Sequence, residues 1–558
     1  MSALETLQII KVMRKLIFTV ITCLSVLVVQ GQQDSIFQAM KLFGLDFTQE
    51  EVDSLRGGLE DNLSDFRKIR MQPLLNDLPY SLAFVPPVNL DHISSEQLEV
   101  DFQLPGQVEM PANIEELAFY SVADLSVLLQ TGKVTSLELT KMYLSRLKRF
   151  GDTLQCVVSL TEELAMEQAK QADEEIAAGR YRGPLHGVPY GVKDLLAVEG
   201  YKTTWGAMPF KDQEINYTAT VVEKLEAAGA VLVAKLTLGA LAWGDVWYGG
   251  VTKNPWNLEQ GSSGSSAGPA SAVAAGLVPF AIGSETWGSI VSPSNRCGIM
   301  GLRPTFGRVS KYGAMALSWS MDKLGPMCRD ATDLALVFDA IRGSDGKDLE
   351  VLKDYPFNYE YDVYKVKNLR VGYLKGIFEA SDYNKSNDST TLALLRNQGL
   401  KMIEKELPTE IPTSALGFIL SAEAAAAFDE LTRSNQDDEL TRQIINAWPN
   451  VLRSARFIPA VEYIQANRLR YLLVQQFNEM MADIDVLIAP SFGGDQLLMT
   501  NLTGHPCVVL PNGSYEAGSS GTITLLGNHF DEASILSFAR YLQALTPFED
   551  EHPQMFTP

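Results

Sequence analysis

The stretch from residue 261 to 304, GSSGSSAGPASAVAAGLVPFAIGSETWGSIVSPSNRCGIMGLRP, constrains this chain more than any other. Gly, Ala and Ser dominate it, so its backbone can approach neighbouring segments closely. It sets Ser265 and Ser266 in a small-residue loop and Ser289 in a turn after Gly288. Upstream, Lys193 ends an otherwise apolar run, HGVPYGVK. Two serine-bearing turns and a lysine in apolar surroundings suggest nucleophilic acyl chemistry that needs no histidine.

Taken singly, each piece is ambiguous. The turn at Ser289 can aim its hydroxyl and the N–H groups of residues 286–289 at one point, as an oxyanion requires. Gly-Ser turns are also common and alone define nothing. The loop at Ser265 reads equally as a linker or a phosphate-binding turn, but it lacks the lysine and hydroxyl residue that end a P-loop. A desolvated Lys193 gives up its proton and becomes a general base. At a strand end it is otherwise surface-exposed, or Asp194 pairs with it and keeps it charged. A G-x-S-x-G string, 264–268, centres on Ser266. A nucleophile elbow needs a buried strand before it, and the preceding residues 257–260 are polar. The five histidines show no metal-ligand spacing, and no metal site is expected.

The rest of the chain sets the architecture. Thr48 and Glu51 have capping-box spacing and open a helix. Proline-rich and polar stretches after it read as extended linker. From residue 114 the pattern becomes regular. Helices are expected over 122–130, from the Thr135/Glu138 box to Phe150 with Gly151 as the stop, over 162–178 and over 219–228. Buried strands are expected over 187–192, 230–235, 486–490 and 506–511. The segment 423–473 reads as mostly helical and able to cover a pocket. Strands alternating with helices give the fold class α/β, with helices covering both sheet faces and a helical N-terminal extension.

The N-terminus has the order of a secretory signal peptide. Lys11, Arg14 and Lys15 precede an apolar run, 16–29, too short to span a bilayer comfortably. The expected division is a signal peptide over 1–31, an accessory segment over 32–111 and the main domain over 112–558. The protein would then be exported, periplasmic or secreted, with no stable membrane insertion after cleavage. The net charge of −22 repels nucleic acid and anionic membranes. Cys23 would leave with the signal. Cys156, Cys297, Cys328 and Cys507 lack CxxC spacing and read as buried free thiols.

Together the motifs resemble the amidase signature family from about residue 114 onward. GPLHGVPYGVKD (183–194) resembles its lysine motif, SGSSAGPA (263–270) its serine loop and AAGLVPFAIGSETWGSI its nucleophile segment. GIMGLRPTFGRVSKYGAMALSWSMDKLGP and NLTGHPCVVLP continue the match. The resemblance implies one large three-layer α/β/α domain around a mixed sheet, with Ser289 as nucleophile, Lys193 as base and Ser265 as a bridging serine after a cis peptide. It also implies an oxyanion and substrate site at Thr286, Trp287 and Gly288, with Ala242 lining the pocket, and Ser266 and Ser284 supporting the loops. Trp287 departs from a family glycine, and Val291 from an arginine that pairs with the acidic residue, here Glu285. The implied activity is hydrolysis of a small-molecule amide through an acyl-enzyme, without cofactor or nucleic acid; a homodimer is one assembly it allows. Two other readings are the A-subunit of a glutamine-dependent amidotransferase and a catalytically silent binding protein of the same fold.

Overall fold

A computed structural model describes residues 13, 35–72, 74–78, 81–86, 94, 96–514 and 521–558. Of residues 1–31 only Met13 is among them, so the signal-peptide reading and Cys23 lie outside the described residues. No helix among the described residues is long and apolar enough to cross a membrane. The chain divides into two compact units, Met1–Leu75 and Asn76–Pro558.

The first unit holds the helix Gln49–Arg70. It is opened by the Thr48/Glu51 box, with both reciprocal bonds in place. The second unit begins at Asn76, so the accessory segment read over 32–111 is shared between the two. Residues 96–103 lie along the second unit. The Gln97 amide donates to the Phe357 carbonyl at 3.0 Å, Asp101 bridges to Glu360, and Phe102 stacks on Tyr359.

An eleven-stranded mixed sheet flanked by helices forms the second unit. In chain order its strands are β1 (Val157–Leu160), β2 (Pro189–Lys193), β3 (Val231–Leu236), β4 (Ala281–Glu285), β5 (Met300–Arg303) and β6 (Lys323–Cys328). They continue as β7 (Val371–Leu374), β8 (Met402–Lys405), β9 (Val486–Pro490), β10 (Cys507–Pro511) and β11 (Thr522–Gly527). The spatial order is β1-β3-β2-β4-β6-β5-β10-β11-β9-β7-β8. β2 lies parallel to both β3 and β4, and β6 runs antiparallel to β4. Strands covered on both faces read as continuous apolar runs, and β2, β3 and β4 are buried throughout.

Most expected elements form within two residues of their predicted ends. The helices are Val122–Gln130, Ser136–Leu154, Glu162–Ala177 and Thr220–Ala227. The Thr135/Glu138 box is complete, but Gly151 does not stop its helix. A Cβ there would meet the Val157 side chain at 3.1 Å, so this glycine serves close packing. The chain turns instead at Gln155, in the left-handed conformation (φ 48°). The segment 423–473 is helical in pieces, chiefly Trp448–Ala455 and Ala460–Met481. A strand, Asn257–Gly261, does precede the G-x-S-x-G string. It pairs only with Lys253–Asn254 in a half-exposed ribbon, not with the large sheet. All four expected free thiols are buried.

Candidate active site

Lys193 stands at the C-terminal end of β2, fully buried. Its Nζ lies 2.8 Å from Ser265 Oγ, 2.8 Å from Ser284 Oγ and 3.1 Å from Ser266 Oγ. Burial pushes its pKa well below the usual lysine value, and the more distant charges of Asp322 and Glu285 oppose that only in part. Asp194 does not pair with it. Successive strand residues point to opposite faces, and Lys235 lies opposite Val192 in the register, on the face that Asp194 shares. Asp194 therefore pairs with Lys235 at 2.9 Å and accepts from the Thr204 N–H and hydroxyl.

The loop bearing Ser265 precedes the helix Ala267–Ala274, and its Gly264–Ser265 peptide is cis. A Cβ on Gly264 would lie 1.9 Å from the Gly244 carbonyl oxygen, so only glycine fits there. Ser266 joins this loop to the rest of the site. Its hydroxyl donates to the Ser284 carbonyl at 3.0 Å and accepts from the Ser284 N–H at 3.1 Å. Its backbone N–H donates to the Ser289 carbonyl at 3.1 Å. The supporting roles expected of Ser266 and Ser284 are visible in these bonds.

Ser289 lies in the turn between β4 and the helix Val291–Cys297. Glu285, the last residue of β4, holds that turn. One carboxylate oxygen accepts from the N–H groups of Ile290 (2.8 Å) and Val291 (3.0 Å). The other accepts from Arg303 (2.8 Å) and Asn501 (2.9 Å). Burial opposes ionisation of Glu285, but Arg303, the Val291 N–H and Asn501 outweigh it and bring the carboxyl down to about 2. Arg303 on β5 thus supplies the cation missing at Val291, whose side chain packs in an apolar cluster.

Gly288 takes φ +83°, a conformation that suits glycine. Among the described residues, the N–H groups of Trp287, Gly288 and Ser289 donate to no other residue, nor does the half-buried Ser289 hydroxyl. The structure therefore brings Lys193 and Ser265 into hydrogen-bond contact. Ser289 adjoins them through its backbone rather than through a bond between the two hydroxyls. Trp287 is half-exposed near Gly417, away from the cavity that Ala242 lines with Ser284 and Thr286.

Sequence reasoning missed three residues that shape the site: Asp322, Arg303 and Asn501. Asp322 accepts from the Thr286 hydroxyl at 2.5 Å and from the N–H groups of Leu317 and Ser318. All three lie in motifs that resemble the family's, which was a signal of importance but not of partner.

A buried lysine ringed by serine hydroxyls, on a large mixed sheet flanked by helices, defines an α/β enzyme of the amidase class. The Amidase family model matches residues 138–504. The chain belongs to the amidase signature family. The glutamyl-tRNA(Gln) amidotransferase A-subunit of Coxiella burnetii is 32% identical over 483 residues, which are 78% of this chain and 99% of that protein. Its namesake from Halorhodospira halophila is 33% identical over 484 residues, again 78% of this chain and 99% of that protein. The crystal structure of native peptide amidase from Stenotrophomonas maltophilia superimposes with a TM-score of 0.68 at 27% identity, covering 77% of this chain and 97% of that one.

Proposed function

We propose that the protein hydrolyses a carboxamide to a carboxylic acid and an amine or ammonia through an acyl-enzyme on Ser289. The observation that carries this reading is Lys193, buried without a carboxylate contact among the described residues and 2.8 Å from Ser265 Oγ. Neutral Lys193 accepts the Ser265 proton as Ser265 accepts that of Ser289. Ser289 Oγ attacks the amide carbonyl carbon, and the N–H groups of residues 286–289 hold the oxyanion. The C–N bond breaks as the proton returns through Ser265 to the leaving nitrogen. Water then attacks the ester, the same relay takes its proton, and the acid leaves with Ser289 restored.

The expected result is that Ser289→Ala abolishes both turnover and labelling by a fluorophosphonate while the chain stays folded. Full activity in Ser289→Ala would refute the mechanism.

A second reading is favoured by the curated relatives, which this chain covers over 99% of their length. In an amidotransferase of that kind, Ser289 would take the acyl group of the glutamine side-chain amide as an ester, and the ammonia released as the C–N bond breaks would pass to a partner protein. Copurification with such partners and glutaminase activity dependent on them would select it. A catalytically silent binding protein would show neither turnover nor labelling.

Export is part of the proposal, supported by the basic-then-apolar order of residues 11–29. N-terminal sequencing of the extracytoplasmic protein tests it; a mature chain that keeps residues 1–31 in the cytoplasm would end it.

A further inference from the structure

Beside the turn that carries Ser289 lies a cavity of about 90 Å³. Ser284 and Thr286 line it on the side of the site; the first touches Lys193 and the second Asp322. The rest of the wall is largely apolar, with Leu195, Ala242, Met315, Leu317 and Leu324. Asn76 fastens the start of the second unit across it. Its amide donates to the Ala316 carbonyl at 3.0 Å and its oxygen accepts the Ala316 N–H at 2.8 Å.

The charged groups that reach this wall are engaged within the protein. Lys311 donates to the Trp319 carbonyl and pairs with Glu350. Asp322 holds Thr286 and two backbone N–H groups. Asp348 accepts from the N–H groups of Lys311 and Glu350. Asp77 accepts the Tyr217 hydroxyl at 2.5 Å, and Lys347 pairs with Glu223 at 3.1 Å. Asp77 and the Lys347–Glu223 pair are exposed, and their bonds cost little to break. Farther in, a substrate that carries an ammonium and a carboxylate would have to break the enclosed bonds of Lys311, Glu350 and Asp322 or bury its own charges unpaired, and either is strongly unfavourable. A compact uncharged group needs no such partner and gains by leaving water.

We infer that this cavity is the subsite for the group next to the scissile amide, and that it takes a compact apolar group and rejects the amino-acid end of glutamine. The inference rests on Ser289 being the nucleophile, as proposed above.

The test compares labelling rates of Ser289 in the full chain by three fluorophosphonates: one bearing methyl, one a branched butyl group, and one a chain ending in ammonium and carboxylate. The butyl probe is expected to react about tenfold or more faster than the charged one. Ala242→Phe fills the cavity and should shrink the butyl-to-methyl ratio about fivefold or more. The wild-type comparison stands even where that variant fails to fold. Turnover of 2-methylpropanamide against N-(2-methylpropyl)acetamide then tells whether the apolar group sits on the acyl or the amine side. Labelling by the charged probe at an equal or greater rate overturns the inference and leaves the nucleophile intact. No labelling of Ser289 by any probe overturns the nucleophile reading, and the inference with it.

Discussion

Lys193 and Lys235 stand on neighbouring parallel strands, both fully buried, and their surroundings could hardly differ more. Lys235 has the Asp194 carboxylate at 2.9 Å, the Thr203 hydroxyl and the Lys202 carbonyl. Lys193 has three serine hydroxyls and, among the described residues, no carboxylate in contact. Burial lowers the pKa of both, and only at Lys235 does a contacting carboxylate push back. Burial alone therefore does not make a lysine a base; the company it keeps on its face of the sheet does. One of the two is suited to hold structure and the other to move a proton.

The sharpest way to break this contrast is to replace each lysine by methionine. Lys193→Met is expected to lower kcat/KM by about 10³-fold or more while the chain stays folded. Steady-state kinetics beside a circular-dichroism melt reads both. Lys235→Met leaves Asp194 buried without its partner and should destabilise the fold by about 3–5 kcal/mol, measured by urea unfolding. Its activity per folded molecule should survive. Equal loss of activity in the two variants would erase the distinction.

Proton linkage sharpens it further. An unfolded lysine keeps its proton up to a pKa near 10.4, whereas folded Lys193 loses it well below the usual value. Between those two points the unfolded chain binds more protons, so stability from this residue rises with pH and levels off above about 10.4. Lys193→Met should remove up to ~1.4 kcal/mol per pH unit from that slope, seen in unfolding series across pH. In the wild type kcat/KM should rise as Lys193 deprotonates and then stay level.

The smallest effect is expected at the edge of the cavity. Asn76→Ala removes two hydrogen bonds to Ala316 and should cost about 1–2 kcal/mol of stability by urea unfolding.

How much of this was legible depended on the range of the interaction. The Thr135/Glu138 box was readable because both partners lie three residues apart. Gly151 misled because a glycine demanded by packing looks, in one dimension, like a glycine demanded by a helix end. Lys193 and Asp194 are adjacent in sequence yet face opposite sides of the sheet, so adjacency suggested a pair that geometry forbids. The serine loops were visible as small-residue runs, and the family resemblance joined them to Lys193. The partners of Glu285 were not visible. Asn501 lies 216 residues away, and no local pattern announces a contact made by folding the sheet.

The single N–H that Ser266 gives to the Ser289 carbonyl also governs how the site can be altered. The residue whose hydroxyl touches the lysine also tethers the chain that carries the other serine. A shift in one loop is therefore transmitted to the other through this bond of 3.1 Å and through the neighbouring bond between the Ser263 and Ser292 hydroxyls at 2.8 Å. Redesign of this enzyme should leave that strut alone and work on the wall at Ala242 and Leu317, where side chains can change without unfastening the reactive parts from each other.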